Sequence, residues 1–271
     1  MNENYIDGWQ YYKQGIVSTK ADCEKVEMNK QIAKDLFGHF GGLYIRYVSE
    51  FDRFQEGPFY SVIKDGEMTM ETLPSKTRNM VRRCLNNCQI KLVDYQDIIT
   101  GGGYLIYLSE TRRYERNGYA AVVQSEEKWT KGKIESSARG EEYWGVYKDG
   151  QLIAYGIVNP KHREADLVTW KCDYEKFKEY YPSYGLVYSI TKHYLERDDI
   201  DYVSDGQRTL TGHSHVQDFL ESKFRYRKAY LKLNVVFRWY TKLPLIILAP
   251  FEKAIKNNKL LSLVRLYKWS R

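Results

Sequence analysis

A chain of 271 residues with 43% hydrophobic and 15% aromatic content can bury a substantial core, which sets disorder aside and leaves room for one large domain or two modest ones. The 25 tyrosines favour strands and ligand-facing grooves over a coiled-coil or all-helical plan. The net charge of +7 is uneven: Lys228 to Arg271 carries ten Lys or Arg against Glu252 alone, so the body lacks the general basic surface of a nucleic-acid-binding protein.

From the N-terminus, Cys23 to Phe37 shows a loose helical stripe that His39-Phe40-Gly41-Gly42 breaks. Leu43 to Val48 and Phe59 to Lys64 read as strands, and Pro74-Ser75 starts a basic helix running to Leu85. Ile90 to Tyr95 is a further strand. A helix containing Tyr104, Leu105, Tyr107 and Leu108 follows and ends near Arg112-Arg113, and another begins after Ser125-Glu126-Glu127-Lys128.

Tyr143 to Val158 is the sharpest local signal, two aromatic β-rich runs around Asp149-Gly150. A tight hairpin needs positive φ at its turn, which Gly tolerates freely and Asp better than most residues. Asp166 to Cys172 is then a strand, Ser183 to Arg197 a helix after Pro182, Asp201 to Ser204 a strand, Ser214 to Phe224 a helix, and Ala229 to Phe237 a closing strand. The fold class is therefore α/β, with helices and strands around a mixed sheet.

The four cysteines are scattered, no secretory signal opens the sequence, and Cys84 with Cys88 has no second pair at zinc-site spacing, so a reducing, cytoplasmic setting is expected. Leu243 to Phe251 is an apolar run of nine residues, too short to cross a bilayer as a helix. Beyond it, apolar residues from Ala254 to Trp269 alternate with cations. Such a segment either lies on anionic lipid at the inner face of the cell membrane or docks on the α/β body with its charges in water.

The order strand, two helices, three strands, helix, strand, helix, strand from Ile90 to Phe237 resembles the GNAT superfamily of acyltransferases. In front of it, Lys76-Thr77-Arg78, Val81-Arg82-Arg83, Cys88, Ile90 and Leu92, followed by a helix ending in Thr111-Arg112-Arg113, look like the junction of FemAB-like proteins, where a basic helix leads into the second of two GNAT-type domains. The resemblance implies a GNAT-like acyl-CoA N-acyltransferase fold at 88–240, a shortened first GNAT-like subdomain at 1–87, and a basic extension at 241–271. It also implies an acyltransferase acting on an amine or hydroxyl of a sugar or lipid-linked envelope precursor, with acyl-CoA or acetyl-CoA as donor. Two alternatives stand beside it: aminoacyl-tRNA as donor, the only version that brings in nucleic acid to an active enzyme, and an inactive module binding membrane or nucleic acid.

In that family the donor pyrophosphate sits at the helix after the fourth strand, where free N–H groups and the helix dipole suit an anion. The matching residues are Ser183, Tyr184 and Gly185, in a stretch with one Gly and no Arg, so a Pro-Ser helix start with Gly for close packing is the competing reading. Splayed fourth and fifth strands would offer the donor Trp170, Lys171 and Cys172 on one side, with Ser204 and Asp205 on the other.

Acyl transfer needs a base for the acceptor proton and an acid for the leaving group. Asp205 or His213 is the candidate base, Arg208 the candidate ligand for an anionic group, and Tyr226 by resemblance the proton donor to the departing thiolate. Asp205-Gly206 also reads as a plain turn, and Ser214 with Gln217 as a capping box that leaves His213 exposed. Cys172 has no paired His to make it a nucleophile. His213 and His215 lack a third ligand, so no metal site is expected.

Overall fold

The computed structural model describes residues 5–6, 8–118, 121–211 and 215–271. Its elements are β1 (Tyr5–Ile6), β2 (Trp9–Tyr12), β3 (Gly15–Ser18), α1 (Lys30–Phe40), β4 (Tyr44–Ser49), β5 (Tyr60–Asp65), α2 (Ser75–Asn87), β6 (Gln89–Val93), α3 (Tyr95–Thr100), α4 (Gly103–Arg116) and α5 (Glu126–Ala138). They continue with β7 (Glu142–Lys148), β8 (Gln151–Lys161), β9 (Glu164–Cys172), α6 (Tyr174–Phe177), α7 (Pro182–Leu195), β10 (Tyr202–Gln207), α8 (His215–Phe224), β11 (Arg227–Tyr230), β12 (Lys232–Phe237), α9 (Trp239–Leu248) and α10 (Asn258–Trp269). One sheet runs β1-β2-β3-β4-β12 and the other β11-β5-β10-β9-β8-β7-β6. Contacts divide the chain into a first unit of Met1–Val62, Gln207–His215 and Lys228–Arg271, and a second of Ile63–Gly206 and Val216–Arg227.

The second unit is built on the expected hairpin. Asp149 and Gly150 both take positive φ, 49° and 80°, which is the type I′ turn whose twist matches that of the strands it joins. Antiparallel pairing then runs from β6 through β9. On one face, Ile98, Ile106 and Trp129 of α3–α5 close over Tyr143, Leu152, Tyr155 and Ile157. On the other, α7 comes close because Gly156 leaves no side chain between β8 and Ile190, whose Cδ1 would stand 2.9 Å from a Cβ there.

The first unit packs Trp9, Ile16, Ala33, Leu36 and Ile45 into one cluster, and Tyr44, Val48, Phe59, Leu231, Leu233 and Leu266 into another. The basic extension belongs to this unit. α10, capped by Asn257, buries Val264, Leu266 and Tyr267, so its apolar stripe docks on protein.

Four expectations change. The stripe from Cys23 forms helix only from Lys30, because Asn29 accepts from Ile32 N–H as the N-cap and Gly41 ends the helix at φ 69°. Strands β1–β3 and the short α3, opened by an Asp94–Asp97 capping box, were not expected, since none shows a long periodic pattern. Asp205 and Gly206 lie within β10, which continues to Gln207. The closing strand is two strands, because the chain changes sheets at Leu231: β11 stands beside β5 while β12 pairs antiparallel with β4.

Candidate functional site

Strands β9 and β10 are parallel, and their pairing covers Tyr202 with Glu164, Val203 with Ala165 and Ser204 with Asp166. Past Ser204 and Asp166 no further partners are joined, so the carboxyl ends of the two strands part. That is where open α/β sheets gather ligands. A cavity of about 250 Å³ opens there, lined by residues 167–171 of β9, Asp205 of β10, Val216 of α8, and Glu110 and Tyr114 of α4.

Asp205 is the chemically distinctive group. Burial and the neighbouring Asp166 carboxylate push its carboxyl up to about 8, against a hydrogen bond from Gln217 that favours the charged form. Gln217 also donates to the Gly206 carbonyl at 3.4 Å. It therefore serves the Asp205 corner from within α8, whereas Ser214, its expected capping partner, lies outside the described residues. His213 does too.

The opposite wall is cationic and aromatic. Glu110, buried, accepts the Cys172 N–H at 2.9 Å and pairs with Arg113 at 3.0 Å. The Arg113 guanidinium lies over the rings of Tyr114 and Tyr174, and Lys171 Nζ sits 5.5 Å from the Tyr114 ring. Glu110 thus fixes α4 against β9, and of these cations and rings Tyr114 and Lys171 line the cavity.

Of the residues read from the sequence, Trp170, Lys171 and Asp205 meet at this cavity. Cys172 is buried and its thiol is pushed up to about 12 by desolvation, so it is not a ready nucleophile; its sulfur lies 3.1 Å from Ser183 Oγ. Tyr226 is buried, its hydroxyl 2.7 Å from Thr191 Oγ1, and burial holds its phenol far above the ordinary range. Ser183, Tyr184 and Gly185 do not line the cavity. Tyr184 packs edge-on against Phe219 at 5.1 Å, and a Cβ on Gly185 would meet Cys84 Sγ at 2.4 Å. Arg208 belongs to the first unit, donating to the Pro58 carbonyl at 2.9 Å and stacking on Tyr60 and Trp269.

The sequence had not marked Glu110, Tyr114 or Asp166 as site residues. A signal existed for the first: Glu110 stands four residues after Ile106, on the buried stripe of α4, where an acid needs a specific partner. Asp166 carried none, since a polar residue in the middle of β9 looks like any solvent-facing position.

No protein-family model and no curated protein matches this sequence. Among solved structures it is similar to FemX, with 9% identity, 73% of each chain covered and a TM-score of 0.53. It is also similar to L-PGS from Bacillus licheniformis, with 11% identity, 97% of this chain and 85% of that one covered, and a TM-score of 0.50. The likeness is one of fold. The mixed α/β architecture expected from the element order is the one found, and FemX and L-PGS share it.

Proposed function

We propose that this chain is a transferase that moves an acyl group onto an amine or hydroxyl of a sugar or lipid-linked cell-envelope precursor, with Asp205 taking the acceptor's proton. The parted ends of β9 and β10, with a carboxyl held near pKa 8 in the cavity between them, carry the proposal. A base titrating close to working pH combines adequate basicity with a usable ionised fraction, about a tenth at pH 7.

The acceptor nitrogen or oxygen attacks the acyl carbonyl carbon, and the bond from that carbon to the donor's sulfur or oxygen breaks. The acceptor's proton passes to Asp205 and from there to the leaving thiolate or alkoxide, which restores the carboxylate. The edge of β9 past Asp166, unpaired with β10, supplies backbone N–H groups for the developing oxyanion. Transfer is direct in this reading, and the Cys172 thiol, pushed up by burial, offers no ready thiolate for a covalent intermediate.

The donor is an acyl thioester of the acyl-CoA type in the first version. The close-packed start of α7 favours a second, an aminoacyl-tRNA donor, since Tyr184 on Phe219 and Gly185 on Cys84 leave the first turn committed to packing. Thermal unfolding measured with acetyl-CoA, a long-chain acyl-CoA and aminoacyl-tRNA separates them. A ligand selective for the folded state raises Tm by mass action, so the donor is the compound that does. If none shifts Tm and none is consumed, the transferase reading fails.

A further inference from the structure

The apolar residues of the C-terminal region are not all spent on the core. α9 buries Leu245 against Val264 and Tyr267 of α10, with Leu248 packed beside them. Its other side stays in water: Trp239 is 75% exposed, Leu243 55%, Ile247 69%, and Phe251 just beyond the helix 62%, with Tyr240 and Ile246 also exposed. Positions 239, 243, 246 and 247 share one face at helical spacing. Singly scattered apolar residues on a surface are ordinary, but a continuous face of this kind marks an interaction site.

The charges around that face indicate what covers it. Lys242, Lys253, Lys256 and Lys259 are exposed and, among the described residues, make no ion pair. The single acid of the region, Glu252, is already neutralised by Arg265 at 2.9 Å and by Lys268 at 2.5 Å. Trp and Tyr at one end of an apolar strip, lysines along its flanks and no free carboxylate match the headgroup boundary of an anionic bilayer. None of the described helices is long and apolar enough to cross a membrane. With ten residues, α9 would span roughly 15 Å, about half the hydrocarbon thickness.

We infer that α9 and the turn to Phe251 form an in-plane anchor that seats Trp239, Leu243, Ile246, Ile247 and Phe251 in an anionic lipid surface. The anchor stands whether or not the transferase reading does. It also differs in place from the amphipathic segment read in the sequence: the alternating stripe of α10 is buried in protein, and the run read only as too short to span supplies the lipid-facing side.

Flotation of the full chain with phosphatidylcholine vesicles, with and without phosphatidylglycerol, tests this. Binding is expected only with phosphatidylglycerol and is weakened by salt. The double variant Leu243→Gln, Ile247→Gln loses about tenfold or more in partitioning. Lys242→Glu with Lys253→Glu loses about fivefold or more for each lysine. Both changes are on exposed positions, so an unchanged Tm certifies the fold. Absence of flotation, or flotation that the apolar double variant leaves intact, overturns the proposal. So does a dimer seen by light scattering in the absence of lipid that the same variant dissolves, because a second copy would then cover the face.

Discussion

Asp166, in the last pair that joins β9 and β10, repels Asp205, which stands one residue beyond that pair. With burial, that repulsion keeps the Asp205 carboxyl protonated at pH values where an ordinary aspartate is charged. The folded-state pKa is raised, so the folded form holds a proton that the unfolded chain has released. The resulting stability is full below about pH 4 and is lost as pH rises through about 8.

Asp205→Asn therefore narrows the fall in Tm between pH 5 and 9 relative to the parent, and it removes transfer. Asp166→Asn lowers the Asp205 pKa, so the rise of kcat/KM with pH moves to lower pH while the plateau remains. A pH–rate profile indifferent to Asp166 would detach that residue from the site.

Glu110 holds two partners that cannot easily find others, the Cys172 N–H and the Arg113 guanidinium. Glu110→Ala is expected to destabilise by roughly 2–3 kcal/mol, the cost of losing hydrogen bonds to a charged group and leaving a buried N–H without a partner. Urea unfolding measures it, with an unchanged m-value. Glu110→Gln retains an acceptor for Cys172 N–H and is expected to cost less.

Gly185 separates the two readings of the α7 start. Gly185→Ala puts a methyl 2.4 Å from Cys84 Sγ and 2.8 Å from Ile90 Cδ1, an overpacking cost of about 1–3 kcal/mol. Cys84→Ala in the same chain relieves part of that loss. Gly185→Ala that weakens donor binding without lowering Tm would instead make this glycine part of a phosphate turn.

Most of the fold was legible because its strongest elements carry local instructions. Asp149-Gly150 prescribes its own turn, and Pro182 prescribes the start of α7 whatever surrounds it. The sheet change at Leu231 was not legible: Ala229 to Phe237 reads as continuous strand, and only the partners available to each half, β5 for one and β4 for the other, divide it. The site was legible in part. Asp205 reads in sequence as a candidate base at the end of a strand or as half of a turn pair, and the structure places it inside β10 at the cavity. Its pKa depends on Asp166 and Gln217, brought near by the β9–β10 register and by α8, and neither relation has a spacing in sequence. Gly185 is recognisable in sequence as a glycine with a reason, but the approach of Cys84, far away in sequence, has no spacing that sequence could show.

The pairing of β4 with β12 has a consequence in time. Asn234 donates to Ser49 Oγ at 2.8 Å across 185 residues of chain. At the usual pace of synthesis, about 5–20 residues per second, β4 leaves the ribosome roughly ten to forty seconds before its partner is made. Through that interval β4, paired with β3 on one side, presents its other edge from Tyr44 to Ser49 unpaired, the kind of surface on which newly made chains adhere to one another. The N-terminal strands of this protein are made early and finished last, which makes them the natural client of any chaperone that meets it during translation.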